Sequence, residues 1–323
     1  MRQSVTEAFS AHCAGFFRFL GGVLLLAGLA VAFLAPLEMY CYYLFAEGGE
    51  FAYEGFRFGS FMFGNLSAQI VGYLFIGSLL IPVGYGNLRL RSWGRHLSLA
   101  LLRFWIVAGL PLIAAFLFVL VSSKEPSFPS FSTAGLLSGA AYLLLPWLGR
   151  RLYNHPGSLQ CFQLQTSRTR LEAIPAHVLA LSMVLFFLIL VLFVQIFFNG
   201  VFPVFGRWLT GLTGIVMIDL VMFVLAVLVF GLVNLIPLAW WGTLVTMTLL
   251  TGSYLVTLAT TNWAQLLDIL QFPPAEMDML AVLPLHGAHL AVLAGLPFLL
   301  ALHLIITTRP VLAGKDRARA ERD

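Results

Sequence analysis

Eight times between Gly15 and Thr307 the sequence runs through a long apolar stretch that carries almost no charge. The stretches are approximately Gly15–Leu37, Ser67–Gly86, Leu97–Val121, Thr133–Leu148, Ile174–Phe198, Trp208–Val233, Pro237–Ala259 and His286–Thr307, with the fourth the shortest. A helix that crosses a bilayer needs about 20 mostly apolar residues. Open strand edges cannot sit in hydrocarbon, so helices are the expected form. Composition leads the same way, with 60% of the 323 residues hydrophobic and only 10% charged. A soluble domain carries about 25% charge. These figures exclude a cytosolic enzyme, a disulfide scaffold and a disordered tail protein. The predicted fold class is an all-α integral membrane protein of about eight transmembrane helices.

Basic residues set the predicted orientation. With the N-terminus in the cytoplasm, 15 of the 18 Lys and Arg side chains lie at or near the inner face, and only Arg57, Lys124 and Arg207 fall outside. Positive charge is retained on cytoplasmic loops. An even number of spans then places both termini inside. The net charge of +4 and pI near 9.1 suit loops beside an anionic leaflet. Nothing resembles a groove-binding helix or a base-stacking platform, so no nucleic-acid partner is expected. Cys13 and Cys161 fall inside and Cys41 outside, which reads as three unpaired packing thiols.

The chain resembles itself. Shifted by 147 residues, the stretch from Phe58 to Trp93 lies over Phe205 to Trp240 without a gap. Gly84 then meets Gly231, Asn87 meets Asn234, and Trp93 meets Trp240. Small residues permit close helix approach, Asn caps exposed backbone, and Trp sits at headgroup level. The expectation is a tandem parallel 4+4 repeat in pseudo-twofold arrangement. Residues 1–149 form the first four-helix unit, 150–173 a cytoplasmic linker, 174–308 the second unit and 309–323 a basic tail.

Gly84-Tyr-Gly-Asn-Leu-Arg-Leu-Arg-Ser-Trp-Gly-Arg95, with Pro146-Trp147 and Leu152-Tyr153, resembles turns in small uncharacterised multi-pass proteins of bacterial inner membranes. The likeness covers about a fifth of the chain. It implies a bacterial inner-membrane location and carries no activity.

Asp219 is the sharpest functional candidate. It lies inside Ile-Val-Met-Ile-Asp-Leu-Val-Met of the sixth stretch, and its partner in the repeat is Gly72. A carboxyl at this depth costs at least about 3 kcal/mol unless it is protonated, paired or hydrated. Arg103, His177 and Thr248 are its candidate partners. His289 and His303 are fourteen residues apart, near four helical turns, a spacing compatible with haem or metal ligation. His286 with the outer acids Asp268, Glu276 or Asp278 matches no metal signature. No phosphate-binding loop, dinucleotide fingerprint, HExxH, CxxC or GxSxG motif occurs. No cofactor is predicted beyond the haem alternative, and no catalytic residue is assigned.

The leading expectation is a non-catalytic scaffold or accessory subunit of a membrane assembly, with membrane lipids and other membrane subunits as partners. The second is a small-molecule, ion or lipid transporter with a cavity between the repeats and Asp219 as coupling acid. The third is a haem or quinone redox subunit.

Overall fold

The structure is a computed structural model and describes residues 2–53, 55–122, 128–163, 169–281 and 287–320. The apolar stretches become helices in chain order: α1 (Arg2–Phe45), α2 (Phe61–Leu88), α3 (Ser92–Ser122), α4 (Phe128–Gly139), α5 (Leu145–Asn154), α6 (Pro156–Gln163), α7 (Arg170–Ala173), α8 (Ala176–Ile196), α9 (Gly211–Val233), α10 (Pro237–Thr260), α11 (Trp263–Leu270), α12 (Pro274–Ala281) and α13 (Gly287–Ala320). Among the described residues, seven are long and apolar enough to cross a membrane: α1 from Cys13, α2, α3, α8, α9, α10 and α13 from His289. The chain is a multi-pass α-helical membrane protein.

The fourth predicted stretch takes a different form. A π-helical segment, Ala140–Leu144, joins α4 to α5 end to end. Neither α-helix alone has the length to span. The wide turn carries Tyr142, which packs where Gly109 of α3 leaves no room for a methyl: a Cβ there would lie 2.7 Å from the ring.

α1 and α2 pack antiparallel at backbone contact. A Cβ on Gly21 would fall 2.3 Å from the Leu88 nitrogen, and one on Gly84 would fall 2.4 Å from that of Leu25. Gly28 and Gly77 face the partner helix in the same way. Gly21 and Gly28 are seven residues apart, as are Gly77 and Gly84. That spacing keeps each pair on one face along the whole crossing.

The turns from α2 to α3 and from α9 to α10 have one backbone form. In the first, Arg91 N–H donates to the Gly86 carbonyl (2.8 Å) and Leu90 N–H to Asn87 (3.0 Å). In the second, Ile236 donates to Gly231 (2.9 Å) and Leu235 to Leu232 (2.9 Å). Leu90 and Leu235 both take the left-handed conformation, at φ 51° and 58°. This is the helix-ending pattern usually supplied by glycine. The offset between the two turns is 145 residues, not 147. Gly231 is therefore the counterpart of Gly86, not of Gly84.

The residues matched by letter stand in different places. Asn87 is buried, whereas Asn234 caps α9 and donates to the Phe230 carbonyl (2.7 Å). Trp93 lies over Gly86, while Trp240 is buried and donates from Nε1 to the Ile305 carbonyl (2.9 Å). At the opposite end the offset of 147 holds for Gly59 and Gly206, which share φ near +90°. The two-residue slip is the net of an α9 five residues shorter than α2 and a lead-in from Gly206 three residues longer than that from Gly59.

Within each half the helices pack in chain order: α1 on α2, α2 on α3, α3 on α5, then α8 on α9, α9 on α10, and α10 on α13. Between halves, α3 packs on α8 and α13, and α2 also meets α8; within the second half α8 also meets α13. A twofold relation would also seat α10 against α1 and the α4–α5 helix. Neither pair packs extensively among the described residues. The main core gathers on α8, where Val178, Leu181, Leu185 and Leu192 are fully or almost fully buried. α6 packs on α1, α3 and α5, with its Phe162 against Phe17 and Tyr153.

Candidate functional site

Helix periodicity decides which way the intramembrane acid faces. On α9 the buried stripe is Gly214, Ile218, Leu225 and Leu232. Asp219 lies off that stripe and is exposed, among the exposed side chains of Val216, Leu220, Phe223 and Val227. It is eight residues from the start of α9, or ~12 Å at helical rise. No hydrogen-bond or ion-pair partner meets its carboxyl among the described residues. Thr248 is also exposed, and its hydroxyl donates to its own helix, to the Leu244 carbonyl (2.8 Å).

Arg103 and His177 come together elsewhere. Arg103 of α3 feels the charge of Arg150 on α5, and His177 at the start of α8 feels that of Arg103. Gly149 seats its backbone on Leu102, which brings Arg150 beside Arg103. Arg103 Nη1, Arg150 Nε and His177 Nε2 are all buried without a hydrogen-bond partner among the described residues. The chain pattern held a signal for this group. Each of the three is the first charged or imidazole side chain at the end of an uncharged run: 104–121, 133–149 and 178–194.

A separate polar network closes the same basic end of the bundle. Buried Asn87 donates from Nδ2 to the Val83 carbonyl (2.9 Å) and to Ser98 Oγ (2.8 Å). It accepts the Tyr153 hydroxyl (2.9 Å), and Arg95 Nε donates to the Tyr153 carbonyl (2.9 Å). Burial pushes the Tyr153 phenol up to about 12. Ser92 donates to Glu172, the carboxylate whose charge also reaches His96.

At the opposite end Glu276 is buried and caps α2. Its carboxylate accepts Phe61 N–H (2.7 Å), Met62 N–H (3.1 Å) and the Tyr53 hydroxyl (2.5 Å). An acid at a helix N-terminus satisfies orphan donors and complements the dipole. Phe272, Leu267 and Leu280 pack beside it with Phe61 and Phe198. A hairpin, Phe202–Val204 with Arg207–Leu209, docks on Ser253 and Thr257 of α10 and on Thr261, which caps that helix. Those hydroxyls recur every fourth residue, a polar stripe legible in the sequence.

His289 packs against Phe118 (ring centroids 5.0 Å), and His303 is exposed further along α13. His286 lies outside the described residues. No group of three or more metal-ligating side chains forms among the described residues. Between the halves, α2 and α8 leave an apolar groove of about 250 Å³, lined by Ala68, Val71, Gly72, Phe75, Phe187 and Val191 among others. Asp219 is not in its lining. No known family, curated protein or solved structure matches the chain.

Proposed function

We propose that the chain is a non-catalytic scaffold or accessory subunit of a membrane assembly, and that it docks a partner transmembrane helix on the outward face of α9. One observation carries this reading: Asp219 stands exposed on an otherwise apolar face, and among the described residues neither Arg103 nor His177 pairs with it. An acid turned to lipid costs at least about 3 kcal/mol, and a basic or hydrogen-bonding side chain on a neighbouring helix offsets that cost. The occupant is a helix with such a group at matching depth. The setting is a bacterial inner membrane with both termini in the cytoplasm, the end-to-end α4–α5 helix serving as an eighth crossing beside the seven long ones, supported by basic residues at one end of the bundle. The two halves are read as copies inserted in the same sense, supported by their common packing order and turn.

A photo-crosslinker at Phe223, one turn from Asp219, tests the docking. The expected adduct is a membrane protein with an intramembrane cation or amide, and Asp219→Leu abolishes it. Adducts to lipid alone, equal in both variants, contradict the proposal. A lipid or small-molecule transporter is the second reading, and the apolar α2–α8 groove favours it.

A further inference from the structure

Charged side chains of one sign do not gather in a packed interior without a counter-ion, because each loses hydration and repels the others. Arg103, Arg150 and His177 are half-buried, and each turns one nitrogen wholly away from the surface. They come from three helices: α3 packs on both α5 and α8, and Gly149 of α5 is seated on Leu102 of α3. Three of their nitrogens are buried and unpartnered, and the charge each of Arg103 and His177 feels is that of an arginine. Among the described residues no carboxylate acts on Arg103 or His177, and Glu172 of α7 is engaged by Ser92 and acts on His96.

We propose that these three residues bind a phosphate group. Two guanidinium forks match the oxygens of a phosphate, and a ring nitrogen supplies a third contact. His177 is the second residue of α8, a helix of 21 residues, so the positive end of that helix adds to the field. Depth points to the same chemistry. Each residue ends an uncharged run, which sets the cluster where hydrocarbon gives way to headgroups. Side chains lean toward the N-terminus of their helix, so Arg103 leans toward the basic end. Basic pockets between helices on this side of a membrane take anionic headgroups. The phosphate is that of an anionic phospholipid or a free phosphate, and the two sources are separable.

The test uses the full chain in neutral detergent, with binding read by native mass spectrometry and by thermal melting. Phosphatidylglycerol, phosphatidylcholine and inorganic phosphate are the probes. Phosphatidylglycerol is expected to bind at least about tenfold tighter than phosphatidylcholine. Arg103→Gln and Arg150→Gln are each expected to weaken it about tenfold, the scale of one charge-assisted hydrogen bond. Arg207→Gln, on the hairpin at the other end, leaves it unchanged. Inorganic phosphate that raises the melting temperature and displaces the lipid identifies free phosphate as the occupant. Lipid binding that resists inorganic phosphate identifies the headgroup. Equal phosphatidylglycerol binding by the wild type and both glutamine variants overturns the proposal, as does wild-type protein that prefers neither anionic probe. Should Arg103→Gln not fold, Arg150→Gln at the end of α5 carries the same comparison, and Arg150→Lys is expected to recover only part of the affinity.

Discussion

Gly86 faces Gly94 so closely that a methyl group on Gly86 would lie 2.5 Å from the Gly94 Cα. The same relation recurs in the second half, where a methyl on Gly231 would lie 2.4 Å from the Ala239 Cβ. Gly86→Ala and Gly231→Ala are each expected to cost about 1–3 kcal/mol, the range for overpacking. Ala239→Gly, which removes the obstructing methyl, should recover most of the loss in Gly231→Ala. Gly72→Ala meets nothing within 4 Å and should be neutral or mildly stabilising. Thermal denaturation in detergent distinguishes these outcomes. A neutral Gly231→Ala would remove the equivalence of the two turns.

The Tyr53 hydroxyl joins the loop before α2 to Glu276 in the first turn of α12. Burial first, then the hydrogen bond to Glu276 and its charge, push the Tyr53 phenol from 10 up to about 12. A phenol raised on folding contributes stability that is complete below its unfolded value near 10. That contribution is lost as pH rises from there through about 12. Melting temperature is therefore expected to fall over this alkaline window. Tyr53→Phe should be less stable at neutral pH and show a shallower alkaline decline, while Tyr153 retains its own share of the slope. An unchanged slope in Tyr53→Phe would place the titration elsewhere.

Cys161 is buried in α6, and burial together with the adjacent Cys13 pushes its thiol up to about 11. The thiolate is the species that alkylates, so little of it exists at neutral pH. Cys161 is expected to resist maleimide in the folded protein and to react fully in denaturant, as read by intact-mass labelling. Rapid labelling of native Cys161 would show that α6 is not seated on Phe17 and Tyr153.

Apolar run length made the membrane class legible, because hydrocarbon tolerates one kind of backbone and sets its length. The direction in which Asp219 faces was not legible. α9 is hydrophobic on every side, so no polar face marks its outside and only tertiary packing selects Ile218 and Leu225 as the buried stripe. The likeness of the chain to itself at an offset of 147 residues misses the turn form shared by α2–α3 and α9–α10, which lies at an offset of 145. Asn87 and Asn234 share a letter but differ in task, while the turn that is repeated places Leu90 opposite Leu235, with no glycine at either left-handed position. Arg103 and His177 were legible as polar groups at the ends of apolar runs and as candidate partners of Asp219, whereas the packing brings them to Arg150. Arg150 comes from a helix whose π-helical turn breaks the regular pattern. Glu276 read as an outer-surface acid because the turn that carries it onto α2 depends on Phe272 packing, which leaves no trace in local periodicity.

The central claim is that the carboxyl on α9 belongs to a contact with another chain. The size of the native complex, measured after gentle extraction for the wild type and for Asp219→Leu, tests it most directly. The wild type is expected to travel with a companion subunit, and Asp219→Leu to travel alone while the isolated chain is at least as stable, having shed an acid that costs about 3 kcal/mol in lipid. A complex of unchanged size in Asp219→Leu, or a wild-type chain that is solitary in native membranes, would contradict it.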